Sequence, residues 1–146
     1  MTQLTQNFTL AEFERSDTAR AQGIDNSVPK ALLPNVQRLA EFLQELRDAL
    51  GKRIIISSGY RGDALNRMVG GVTSSAHTQG LAADISVPGM SPEELFQAII
   101  KLDLGYDQVI QEFDKWVHVG LSVGKPRKQR LRATKNSAKK TVYTQV

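Results

Sequence analysis

Val36, Leu39, Leu43, Leu46 and Leu50 recur at steps of three and four, which is the stripe of an amphipathic helix, and Gly51 follows as a natural stop. A helix apolar on one side only must bury that side, so a second layer has to face it. Pro34 places the start of this helix, or a bend, near residue 34. The run Arg53-Ile54-Ile55-Ile56-Ser57 supplies the second layer: it is β-branched, too short for a stable helix, and ends in the turn Ser58-Gly59-Tyr60.

The other elements follow from end signals. Thr9 and Glu12 bracket the start of a short helix, with Phe8 placed to staple onto Phe13. The polar stretch ARAQGIDNSVP reads as surface loop. Residues 63 to 69 allow a helical turn or two before Gly70-Gly71, and residues 82 to 87 form a strand closed by Pro88-Gly89. Ser91-Pro92-Glu93-Glu94 opens a helix that runs to about Leu102, with Met90 placed to staple onto Leu95. Residues 108 to 112 and 116 to 122 then read as a β-hairpin joined by Phe113-Asp114-Lys115. This order predicts an α+β domain: a small antiparallel sheet with helices packed on it.

Charge divides the chain. Residues 1 to 124 hold eleven Lys and Arg against all fifteen Asp and Glu, whereas residues 125 to 146 hold eight basic residues and no acid. The expectation is a domain over 1–124 and a basic, flexible or loosely docked tail over 125–146. Such a tail suits anionic cell-envelope polymers or lipid head groups, and without interleaved aromatics it gives weak ground for nucleic acid. The N-terminus shows no signal-peptide pattern, so synthesis in the cytoplasm is expected.

With no cysteine and only two histidines, any metal must be held by His, Asp or Glu. His77 precedes Asp84, a carboxylate set among Ala82, Ala83 and Ile85 that needs a partner if buried. His118 lies on the strand of Trp116 and Gly120, on their face. If the strands of Asp84 and His118 are neighbours, His77, Asp84 and His118 converge, and three ligands leave a position open for water, as in catalytic zinc sites. Such a site needs a base, for which Glu112 and Asp114 are both candidates, and a donor or cation for the oxyanion, for which Arg61 is placed. Ser75 could also donate to substrate. Tyr60 and Trp116 are each either core residues or substrate platforms.

Together, Ser58-Gly59-Tyr60-Arg61, Ser75-x-His77-x-x-Gly80-x-Ala82-x-Asp84 and Trp116-Val117-His118 resemble the zinc D-Ala-D-Ala carboxypeptidase family, which includes bacteriophage L-alanyl-D-glutamate endopeptidases and shares its fold with the hedgehog domain. The resemblance covers about residues 7 to 123, and NFTLAEFERSDTARAQGIDN looks like the start of short phage members. It implies a monomeric zinc peptidase acting on peptidoglycan stem peptides, with His77, Asp84 and His118 as Zn²⁺ ligands, Arg61 near the oxyanion, and Ser75, Tyr60 and Trp116 toward the substrate.

One position departs from the best-known carboxypeptidases, in which an acid lies three residues before the second zinc histidine; here it is Lys115. In the hedgehog-like and short phage-type arrangement a glutamate lies six residues before that histidine, and this position is Glu112. The resemblance therefore implies Glu112 as the general base toward a zinc-activated water. It also implies an endolysin that reaches the periplasm or wall after release. Whether a D-Ala terminus or an internal bond is cut stays open.

Overall fold

The computed structural model describes residues 2–146. Helices α1 (Leu10–Glu14) and α2 (Asp17–Ala21) precede the long α3 (Leu33–Leu50), followed by β1 (Ile55–Ser58) and α4 (Asp63–Met68). After a 3-10 turn over Ala76–Gln79 come β2 (Ala82–Ser86), α5 (Pro92–Leu102), β3 (Gln108–Glu112), β4 (Trp116–Gly120), β5 (Gln129–Lys135) and β6 (Thr141–Gln145). Pro34 lies in the first turn of α3, so the helix starts there rather than bending. Its stripe is buried at Val36, Leu39, Leu43 and Leu46, and Gly51 closes it in the left-handed region at φ 64°. Phe8 and Phe13 pack with ring centroids 6.3 Å apart, and the Thr9 N–H donates to the Glu12 carboxylate at 2.9 Å. Part of the expected loop ARAQGIDNSVP is helical, because Ser16 caps α2 by accepting from the Ala19 N–H.

The six strands form one sheet in the order β1-β2-β4-β3-β5-β6. All neighbours are antiparallel except β3 and β5, which are parallel, so the sheet is mixed rather than antiparallel throughout. Side chains alternate faces along a strand, and residues opposite each other share a face. Ala83, Ile85, Val109, Val117 and Val119 therefore point to one side, where they form the core with α3 and α5 through Leu39, Leu43, Leu95, Phe96 and Ile99. The other side carries Asp84 opposite His118, His118 opposite Ile110, and Glu112 opposite both Trp116 and Ala133.

The segment from 125 onward is not the loose tail that its charge density suggests. Residues 129 to 135 pair along β3, and residues 141 to 145 pair along β5. Backbone ladders hold the segment, and its cations are matched to the acidic domain: Arg127 pairs with Asp107 at 2.8 Å, Lys128 with Asp103 at 2.7 Å and Arg132 with Glu93 at 2.7 Å. The Arg127 N–H also donates to Asp107, which anchors the backbone as β5 begins.

Candidate active site

The site is assembled on the open face of the sheet by two strands and one turn. Ser75 starts the 3-10 turn that holds His77, its Oγ accepting from the His77 N–H at 3.2 Å. Gly80 ends that turn at φ 72°, where a Cβ would come within 2.7 Å of Val36 Cγ2, so the turn can lie on α3 only with glycine there. The imidazole of His77 is buried, and its Nδ1 donates to the Gly59 carbonyl at 2.7 Å. A carbonyl can only accept, so Nδ1 carries the proton and Nε2 is left as a lone-pair donor facing Asp84.

Asp84 Oδ1 lies 3.5 Å from His77 Nε2 and 3.1 Å from His118 Nδ1. Burial acts to raise the Asp84 carboxyl, but the hydrogen bond with His118, with the His77 imidazole close by, outweighs it and holds the group well below the usual carboxylate range. One donor atom from each of these three residues fits within a 4.8 Å cluster. Two imidazoles and one carboxylate, with a backbone carbonyl orienting His77, fit the donor chemistry that zinc takes and leave a coordination position open. The expected convergence of His77, Asp84 and His118 is therefore present in the geometry.

Glu112 stands next to the cluster, its Oε1 4.0 Å from His118 Nδ1. Desolvation, then the charge of Asp84, push its pKa up against the opposing pull of His118 and Arg61. Asp114, the other candidate base, instead accepts from the Gln111 amide at 2.7 Å in the hairpin turn. That turn places Phe113 and Asp114 at φ 59° and 56°, a conformation unusual for a bulky residue such as Phe113. It is held from several sides: Gln111 bonds Asp114 twice, the Phe113 N–H donates to the Ala133 carbonyl at 3.0 Å, and the Phe113 ring packs edge-on to Trp116.

Arg61 is tied to the 3-10 turn of His77 through its N–H, which donates to the His77 carbonyl at 3.1 Å. Its guanidinium reaches Ser75 Oγ at the long distance of 3.5 Å, and its buried Nε has no partner. Gly59, just before, lies so close to Phe13 that a Cβ would sit 2.7 Å from its carbonyl oxygen. Tyr60, in contrast, is in the hydrophobic core with 7% exposure and is absent from the cleft. Trp116 does line the cleft.

The cleft over this cluster measures about 610 Å³, and its walls include Arg61, Ser75, Glu112 and Trp116. Gln108, Arg127, Lys135, Thr141 and Tyr143 also line it, none of which sequence reasoning marked. The alternation Leu131-x-Ala133 and the β-branched and aromatic run Thr141-Val142-Tyr143 were the available signals for the last three.

The family model of Peptidase M15 matches residues 6–120. The chain belongs to the M15 peptidase family. No curated protein matches it. M15 peptidases are zinc-dependent, which agrees with the donor set of His77, Asp84 and His118 and makes the chain a metallopeptidase with an α+β fold. The match ends at Gly120, before β5 and β6 begin.

Proposed function

We propose that this M15 peptidase hydrolyses peptide bonds in the stem peptides of peptidoglycan, with His77, Asp84 and His118 holding Zn²⁺ and Glu112 acting as general base. The observation that carries the reading is the position of Glu112: a half-buried carboxylate with a raised pKa, 4.0 Å from one member of the metal-type cluster and open to the cleft. Bound zinc would supply a Lewis acid and an activated water nucleophile. Glu112 takes the proton of the attacking water and returns it to the leaving amine, a role to which a carboxylate shifted toward neutral pH is suited.

Arg61 complements it. The loosely engaged end of its guanidinium provides donors for the oxygen that gains charge in the tetrahedral intermediate. Ser75 holds the turn of His77 and stands within reach of Arg61, so it positions both. The lytic role, with action on the wall outside the cytoplasm, rests on the likeness of residues 7 to 26 to phage members and belongs to the same reading.

The test couples zinc analysis with digestion of purified peptidoglycan. Glu112→Gln should lower the rate about 10²- to 10⁴-fold while zinc content stays near one per chain. Activity close to wild type would remove Glu112 from the role of base, and zinc without hydrolysis by the wild type would favour a non-catalytic wall-binding module. Mass spectrometry of products from defined muropeptides identifies the bond, D-Ala terminus or internal.

A further inference from the structure

The hairpin of β5 and β6 lies beyond the part of the chain that matches the family, yet it continues the face that carries the site. Glu112 is opposite Ala133, and Ala133 is opposite Tyr143, so Glu112 and Tyr143 face the same side with one strand between them. Two strand spacings of about 4.8 Å put the Tyr143 backbone roughly 10 Å from that of Glu112. Ala133 between them is small and only 1% exposed, so neighbouring side chains close over it.

Lys135 shares the face of Ala133 and is opposite Thr141. Its Nζ donates to Thr141 Oγ1 at 2.8 Å and stands 5.0 Å from the centroid of the Phe113 ring, two contacts that fix the ammonium beside the cleft. An ammonium has three donors, so capacity remains. Of the tail cations, Arg127, Lys128 and Arg132 are each matched to a carboxylate, whereas no carboxylate among the described residues pairs with Lys135. Arg127 also borders the cleft but is held by Asp107 through three side-chain contacts of 2.8 to 3.2 Å. Lys135 is thus the cleft-lining cation of the tail that is open to a ligand. Tyr143 beside it is 56% exposed and presents a phenol donor.

From this geometry we infer that the β5–β6 hairpin is a carboxylate subsite, in which Lys135 and Tyr143 bind a free carboxylate of the peptide substrate. The inference rests on the reading of the substrate as a peptide and adds what the enzyme selects. An extended chain advances about 3.3 Å per residue, so a span of roughly 10 Å places the recognised carboxylate two or three residues from the reacting bond. Peptides whose carboxylates are amidated at that distance are then poor substrates.

Two stem-type pentapeptides, identical except that the carboxylates beyond the reacting bond are free in one and amidated in the other, test this. The zinc-loaded wild type should favour the free acid by about tenfold in kcat/KM, mostly through KM, the order expected of one charge-assisted hydrogen bond. Lys135→Met should reduce that ratio to near one, Tyr143→Phe should reduce it partly, and Lys135→Arg should keep it. A ratio near one in the wild type, or one that survives Lys135→Met, overturns the subsite while leaving the peptidase reading intact. Calorimetric titration of both peptides into zinc-loaded Glu112→Gln separates the converse case: preferential binding of the acid, lost with Lys135→Met, in a chain whose wild type cleaves neither peptide upholds the subsite and overturns the proposed function.

Discussion

Strands β2 and β4 and strands β5 and β6 belong to one sheet and face one cleft, but they are held in place by different forces. Ala82, Ala83 and Ile85 on β2 and Val117 and Val119 on β4 are almost fully buried, whereas four of the five residues of β6 are exposed. The inner strands are positioned by apolar contact with α3 and α5 on their reverse face. The outer pair is positioned by backbone ladders and by surface ion pairs, each of which contributes about 0–1 kcal/mol. Groups that must meet within a few ångströms, such as His77, Asp84 and His118, stand on the tightly packed part. Groups that select a ligand stand on the part where a residue can change at little cost to stability.

Paired truncations would break this comparison most directly. Leu43→Ala opens a cavity under the sheet and should cost about 2–5 kcal/mol of unfolding free energy, with loss of zinc affinity as the turn of His77 loosens. Val142→Ala, on β6 with 40% exposure, should fall within about 0.5 kcal/mol of wild type. Urea titration of both variants measures the contrast, and equal costs would mean that the hairpin is as much a part of the core as α3.

Metal removal sharpens it further. All three proposed ligands lie on β2, β4 and the turn that precedes β2, so zinc should stabilise the inner region, by about 2.7 kcal/mol when free metal is a hundredfold above its dissociation constant. Chelation should reverse the gain, and His77→Ala should abolish it. A chain ending at Lys140, which lacks β6, should show the same zinc increment as the full chain in thermal melts. A smaller increment would show that the outer strands help to form the cluster.

The parts of the molecule legible in the sequence are those in which one residue type has one physical reason to be where it is. The stripe of α3, the cap of α5 at Ser91, and the hairpin between Gln108 and Gly120 all follow from period or end chemistry, and each is present. His77, Asp84 and His118 stood out because two histidines and a carboxylate within an apolar run have few structural explanations. Tyr60 is ambiguous because an aromatic after a strand serves core and cleft equally well, and only its packing places it in the core. The hairpin is concealed by its own charge: Arg130 and Arg132 alternate with Leu131 and Ala133, a two-residue period that reads as polar chain until Asp107, Asp103 and Glu93 are seen to receive Arg127, Lys128 and Arg132.

The smallest effect probes how the two regions are joined. Glu93 on α5 receives Arg132 of β5 in a two-pronged contact, with 3.0 and 2.7 Å separations, and also accepts from Gln111 beneath the hairpin turn at 3.1 Å. The Arg132 hydrogen bonds, aided by Gln97 and Gln111, outweigh burial and lower its pKa from 4.5 to about 2. A carboxyl with a lowered folded pKa contributes stability above its unfolded value and loses it as the pH falls toward the folded value. The stability difference between wild type and Glu93→Gln should therefore be constant near neutral pH and shrink between pH 4.5 and about 2. Its size should stay below about 1 kcal/mol, because both partners are partly exposed and screened by solvent. Melts across that interval at low and high salt measure it, and a difference independent of both pH and salt would mean that Glu93 acts through packing with Gln111 rather than through charge.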